Sequence, residues 1–175
     1  MYETQPELDA LQRLLDHSHG RATEHLRSII TGRRVLSAGD IAALLTGMKV
    51  ASLATVTAKG EPRISAVDGH FLHGTWTWST SGTAAKARHL QARPAVSIAH
   101  IDNEDLAVFA HGTADRLTPA DPLWDETLSH WTAHYGGSPL EWVDDIRLYR
   151  LAASWMVGYA ADRDQLLASR GLSQT

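Results

Sequence analysis

Between Lys49 and Leu117 the chain is cut into short runs of alternating side chains, each closed by a turn or a helix stop. "KVASLATVT" (49–57) is the first run. "AKGEP" (58–62) is a turn in which Gly60 is free to take positive φ. "RISAV" (63–67) puts Ile64 and Ala66 on one side and Arg63, Ser65 and Val67 on the other. "GTWTWST" (74–80) sets Trp76 and Trp78 against Thr75, Thr77 and Ser79, and "AVSIAHI" (95–101), "LAVFAHGTADRL" (106–117) and "SWMVGYA" (154–160) complete the set. Short strands joined by tight turns predict a small antiparallel barrel or sandwich.

Helices flank and interrupt this pattern. Leu8, Leu11, Leu14 and Leu15, then Leu26, Ile29 and Ile30, fall at helical spacing, and Ser37 with Asp40 forms a capping pair ahead of Ile41, Leu44 and Leu45. Residues 1–46 therefore read as a helical extension, 47–165 as the β domain and 166–175 as a polar tail. A helix is expected over 83–92, stopped by Pro94, and another over 122–135, capped by Asp121 and ended by Gly136. Trp124, Leu128, Trp131 and Tyr135 line one face of the second.

Several function classes are excluded or demoted. The 175 residues contain no cysteine, so disulfides, thiolate metal sites and a cysteine nucleophile are impossible. The net charge of −4 speaks against nucleic acid as a partner. No apolar run approaches the roughly 20 residues of a spanning helix, and the acidic start does not read as a signal peptide, so no membrane association and a cytoplasmic location are expected. The acidic total hides a basic segment: residues 59–93 hold five Lys or Arg against two Asp or Glu.

That segment carries the most informative stretch, "TWSTSGTAAKARHLQARP" (77–94). A strand ends in Ser79, Thr80, Ser81 and Gly82, and a helix starts at once. Hydroxyls, free backbone N–H groups and the positive end of a helix dipole meet there, a combination that binds anions and phosphate above all. Lys86 and Arg88 lie one turn in, and Arg63 comes from a preceding strand. The same residues also suit ordinary capping and a solvated helix face.

The order of strand, Gly turn, Arg-bearing strand, strand, Ser-Thr-x-Gly, Lys-bearing helix, Arg-Pro and strand resembles the pyridoxamine-phosphate-oxidase-like flavin and deazaflavin oxidoreductases. "SLATVTAKGEPRISAV" (52–67), "WSTSGTAAKARHL" (78–90), "ARPAVSIAH" (92–100) and "VFAHGTADRL" (108–117) carry the likeness. The resemblance implies a mainly β fold with flanking helices, an antiparallel split β-barrel of the FMN-binding type. It implies that Arg63, Ser79, Thr80, Ser81 and Lys86, with Arg88, hold a cofactor phosphate. It also implies that backbone groups of Ile64, Ser65, Ala66 and Val67, reaching to Asp68, hold the ring. The family habit further implies a homodimer with the cofactor cleft at its interface.

Departures sharpen the expectation. Ala85 stands where FMN oxidases of this family carry Arg, Ala107 stands near their ring-edge Gln, and their C-terminal Arg-Leu-His segment is missing. True pyridoxamine phosphate oxidation is not expected. The Lys-x-Arg-x-Leu helix looks more like members that bind deazaflavin coenzyme F-420, with FMN as the second choice. The expected activity is hydride transfer to or from a small unsaturated or aromatic substrate, with the cofactor doing the redox chemistry. The alternatives are a haem-binding or haem-degrading split-barrel protein and a cofactor-free interaction protein. No catalytic residue is singled out; His70, His73 and His111 are candidate proton donors. His130 and His134, four apart on a helix, have chelating spacing but no evident third ligand, so no metal site is assigned. Trp76, Trp78 and Trp155 are candidate walls of the cofactor cleft, against a reading as core.

Overall fold

The computed structural model describes residues 2–172. Six antiparallel strands, β1 (Met48–Val56), β2 (Pro62–Leu72), β3 (Thr75–Ser81), β4 (Ala95–Asp102), β5 (Leu106–Leu117) and β6 (Ile146–Ala160), close a barrel in the order β1-β2-β3-β6-β5-β4. Around it lie α1 (Gln5–Gly20), α2 (Glu24–Ile29), α3 (Ala38–Leu44), α4 (Ala85–Ala92), α5 (Trp124–Tyr135) and α6 (Arg163–Ser169). No helix among the described residues is long and apolar enough to cross a membrane.

Hairpin chemistry sets the register of the first three strands. Gly60, at φ +80°, turns β1 into β2. His73 and Gly74 both take positive φ, 54° and 73°, the backbone of a two-residue hairpin loop whose twist matches the flanking strands. Gly is at home in that conformation and His is not; the His73 ring is fixed there between the carboxylates of Glu7 on α1 (2.9 Å) and Glu126 on α5 (3.3 Å).

The barrel is filled by one cluster that includes Leu53, Val67, Trp76, Trp78, Ile98, Val108, Leu151 and Met156. Trp76 and Trp78 are fully buried, so both are core and neither walls a surface cleft. The N-terminal helices belong to that same core: Leu11, Leu15, Ile41 and Leu45 join the cluster, and the α1 Ser18 hydroxyl accepts the Met156 N–H of β6 at 2.9 Å. Asp40 on α3 is buried, caps its own helix with Ser37, and takes a two-point ion pair from Arg163 of α6 at 2.7 and 3.0 Å.

Four local expectations change. Helix α4 starts at Ala85 rather than Thr83. Asp121 does not cap α5; its carboxylate accepts from the Thr118 N–H and hydroxyl, closing the preceding turn, and the helix begins at Trp124. The last strand runs from Ile146, well before Ser154. Residues 163–169, which enter the segment expected as a tail, form α6 with Leu166 and Leu167 buried; residues 173–175 lie outside the described residues.

Candidate functional site

Strand β2 is eleven residues long, yet it pairs with β3 only at His70↔Thr77, Phe71↔Trp76 and Leu72↔Thr75. From Gly69 back to Pro62 it keeps its ladder to β1 on one edge only. Over Trp78 to Ser81, β3 likewise pairs only with β6. Two strand edges therefore diverge from the His70–Thr77 pair and face one another across a split. A strand edge without a partner presents backbone N–H and C=O groups that a polar ligand can take up. The segment Ile64 to Asp68 lies along one lip.

The residues expected at the phosphate lie on β2, β3 and α4, the elements that border the wide end. Arg63 sits opposite Thr55 in the β1–β2 ladder, and the Thr55 hydroxyl lies 3.0 Å from His89 Nδ1 on α4, one turn after Lys86. Across the split, Ser81 Oγ meets Thr83 Oγ1 at 2.8 Å and accepts the Thr83 N–H at 3.2 Å, so the loop into α4 is held by its own hydroxyls. Those hydroxyls do not cap the helix. Its N-cap is Ala84, without a side-chain acceptor, which leaves first-turn N–H groups of α4 uncapped.

The basic residues divide by engagement. Arg88 donates to the Thr83 carbonyl and braces the loop. Arg63 is exposed and reaches Glu61 at 2.8 Å. Lys86 is half-buried and makes no ion pair among the described residues. Thr80 is buried, whereas Ser79 and Ser81 are half-buried. A residue that sequence reasoning missed is Arg147 on β6. It forks onto Asp145 at 3.2 and 2.9 Å, touches Gln91 of α4 at 3.3 Å, and presses this pair against Gly82, where any Cβ would collide with it. The Arg147 guanidinium beside Asp145 holds that carboxyl below its usual range. Nothing in the sequence spacing marks this clasp.

At the narrow end, a polar network closes the vertex. His70 is fully buried, with Nδ1 3.0 Å from His130 Nε2 and Nε2 3.0 Å from the Tyr135 hydroxyl; that hydroxyl faces Asp68 Oδ2 at 3.5 Å. The carboxylate orders the protons. Tyr135 donates to Asp68, so its oxygen accepts the Nε2–H of His70, and His70 Nδ1 must then accept the Nε2–H of His130. Burial, reinforced by His130 and His134, pushes His70 down to about 3, and burial next to Asp68 pushes the Tyr135 phenol up to about 12. Both groups are neutral at ordinary pH.

None of the three candidate proton donors faces the split. His70 is sealed with both nitrogens engaged, and His73 is clamped in the hairpin loop. His111 lies on β5, its ring stacked on Trp155 at 4.7 Å and its Nδ1 2.7 Å from Ser97 Oγ. It lines a cleft of about 500 Å³ with Ala54, Pro62, Ala95, Ser97 and Thr113. That cleft opens between β1 and β4 and includes none of the residues expected to hold a phosphate. Trp155 belongs beside it through His111. His70 packs against both His130 and His134, yet among the described residues no group of three His, Asp or Glu is arranged to hold a metal ion.

Residues 38–158 match the family model described as pyridoxamine 5'-phosphate oxidase. No curated protein matches the chain. Among solved structures, a conserved hypothetical protein from Mycobacterium tuberculosis superposes with a TM-score of 0.61 at 20% identity, covering 83% of this chain and 94% of its own. The haem storage protein HutZ from Vibrio cholerae gives 0.54 at 23% identity over 63% of this chain and 86% of its own. An F-420 reductase gives 0.52 at 20% identity over 65% and 93%. At these identities the superpositions speak for the fold, and the family match spans α3, the whole barrel to Gly158 and both lips of the split. The chain belongs to the pyridoxamine 5'-phosphate oxidase family.

Proposed function

We propose that this protein is an oxidoreductase that binds deazaflavin coenzyme F-420 or FMN in the split between β2 and β3. The observation that carries the reading is the pair of unpaired strand edges opening toward the uncapped start of α4 and the free ammonium of Lys86. These residues fit a planar, phosphorylated cofactor. Backbone groups of Ile64, Ser65, Ala66 and Val67 would hold the ring edge. Ser79 and Ser81, the first-turn N–H groups of α4, Lys86 and Arg63 would hold the phosphate. When bound, the cofactor moves a hydride to or from a small unsaturated or aromatic substrate, and the chain positions it and tunes its electrostatics. The F-420 reductase among the structural neighbours agrees with the deazaflavin choice.

The working unit in this proposal is a homodimer with the cleft at its interface. Support comes from one outer face of the barrel. Val50, Ile64 and Ile101 are 62%, 75% and 59% exposed there, and Ser52, Ala66 and Ala99 are adjacent in the β1–β2 and β1–β4 ladders. A flat surface of small and apolar side chains is what a second copy would cover. A cytoplasmic location belongs to the same proposal.

Haem is the second reading, favoured by one feature. The cleft of about 500 Å³ is lined by His111, whose Nδ1 is occupied by Ser97. Its Nε2 is left to face a ligand, and HutZ shares the fold.

The test is titration of the purified protein with F-420, FMN and haem, followed by fluorescence and absorbance. Saturable binding of F-420 or FMN supports the proposal. A Soret band with haem alone, lost in His111→Ala, replaces it with the second reading.

A further inference from the structure

The stretch between α5 and β6, residues 136–145, is anchored beside one lip of the split through Tyr135, which precedes it, and on the other through Asp145. At its start, Tyr135 faces Asp68 at 3.5 Å, the last residue of the β2 segment that lines one lip. At its end, the Asp145 carbonyl accepts the Gly82 N–H at 2.6 Å, and the Asp145 side chain packs on Gly82 at the loop into α4. The chain between therefore runs from the narrow end of the split to the wide end.

A surface connection of this kind is expected to be polar. This one carries Leu140, Trp142 and Val143, exposed at 41%, 44% and 43%. They are also preset. Gly136 ends α5 in the left-handed conformation at φ +74°, Ser138 Oγ caps the 3-10 turn of Pro139–Glu141, and Pro139 is buried beneath it. Trp142 stands edge-on to Tyr135 at 4.7 Å, so one side of the indole is braced against the residue that borders Asp68. Three side chains are far from the roughly 800 Å² per partner that a stable protein interface needs. They are flanked by Glu141 and Asp144, which disfavour an anionic ligand.

We infer that residues 139–143 form the substrate-facing wall of the site, and that Trp142 determines specificity by packing on a neutral, planar, apolar acceptor. This rests on the reading of the split as the cofactor site. The polar ring and phosphate contacts then come from β2, β3 and α4, and the apolar contacts from the segment that spans them.

The experiment uses the full chain, wild type, Trp142→Ala and Trp142→Phe. Affinities for F-420 and FMN are measured first. The affinity of the cofactor-loaded protein for 2-methyl-1,4-naphthoquinone is then measured by calorimetry, with sedimentation on each variant. The expected result is cofactor affinity unchanged in both variants. Quinone affinity should fall about tenfold to a hundredfold in Trp142→Ala and recover largely in Trp142→Phe. Failure of either cofactor to bind wild type defeats the reading of the split and this inference with it. Normal cofactor binding with quinone affinity unmoved in Trp142→Ala overturns this inference alone. A mass change on losing the indole assigns the patch to a second copy of the chain and overturns it as well.

Discussion

His70 Nδ1 and His130 Nε2 lie 3.0 Å apart in a site where His70 has no contact with solvent, so the two imidazoles share one proton and have no place for a second. The sign of the pH dependence follows. His70 is pushed down to about 3 from 6.5, and burial lowers His130 as well. Below pH 6.5 the unfolded chain binds a proton that the folded chain refuses at His70, so folding stability falls as pH falls, with a slope of about 1.4 kcal/mol per pH unit from His70. Urea midpoints measured between about pH 7 and about pH 4.5, above the range of the depressed carboxylates, should decline steadily. The His70 ring resonances should not titrate over that interval. A flat stability profile, or a His70 that titrates near its free value, contradicts the sealed network.

Lys86 is the cation best placed to meet an anion at the uncapped end of α4. Lys86→Ala should weaken F-420 or FMN binding by about 1.5–3 kcal/mol, roughly a tenfold to hundredfold loss. The melting temperature without cofactor should stay within about a degree, because no ion pair among the described residues is lost. Equal affinity in wild type and variant would leave this lysine as a solvated side chain.

Ile64, 75% exposed on the small-residue face, is the place to interrupt self-association. Ile64→Glu buries a charge only if that face is covered, so it should lower the sedimenting mass from dimer to monomer while leaving the circular dichroism of the barrel unchanged. Wild-type protein that sediments at 19.1 kDa with cofactor present removes the homodimer from the proposal.

Arg163 and Asp40 join α6 to α3 through two charge-assisted bonds, and Asp40 is buried. Arg163→Met should cost about 3 kcal/mol in denaturant unfolding, because the carboxylate is left buried with only its Ser37 bonds. It should cost less at a pH low enough to protonate Asp40. A loss below about 0.5 kcal/mol would place this contact with ordinary surface ion pairs.

Much of the barrel was legible because its strands have one inner face. The run 106–117 appears as β5 with both ends intact, and Arg93 before Pro94 ends α4 in an extended conformation. The first half of β6 was not legible: Leu148 and Tyr149 are consecutive and both buried, while Arg147 and Arg150 lie half-buried along the same strand, so the alternation is broken by cover on both sides. For the same reason the alternation that marks β2 ends at Val67, although the strand continues through His70, Phe71 and Leu72, all buried. The phosphate-end residues stood out because hydroxyls, Gly and Lys adjoin in sequence. The His70 network and the Arg147 clasp did not, since each is assembled from positions about 60 residues apart that only the closed barrel brings together.

The split leaves the chain with an exposed liability. Two lengths of strand, Pro62–Gly69 and Trp78–Ser81, keep one row of backbone groups each that no neighbouring strand takes up. They diverge from the His70–Thr77 pair, where the β2–β3 ladder ends. Such rows are templates for an incoming strand from another molecule. The chain departs from the usual defence here, because Ile64 and Ala66 lie where charged gatekeepers would otherwise stand, with Arg63 and Asp68 only at the two ends. In the proposed function, a cofactor seated in the split would therefore also cover these rows and oppose strand addition from another molecule.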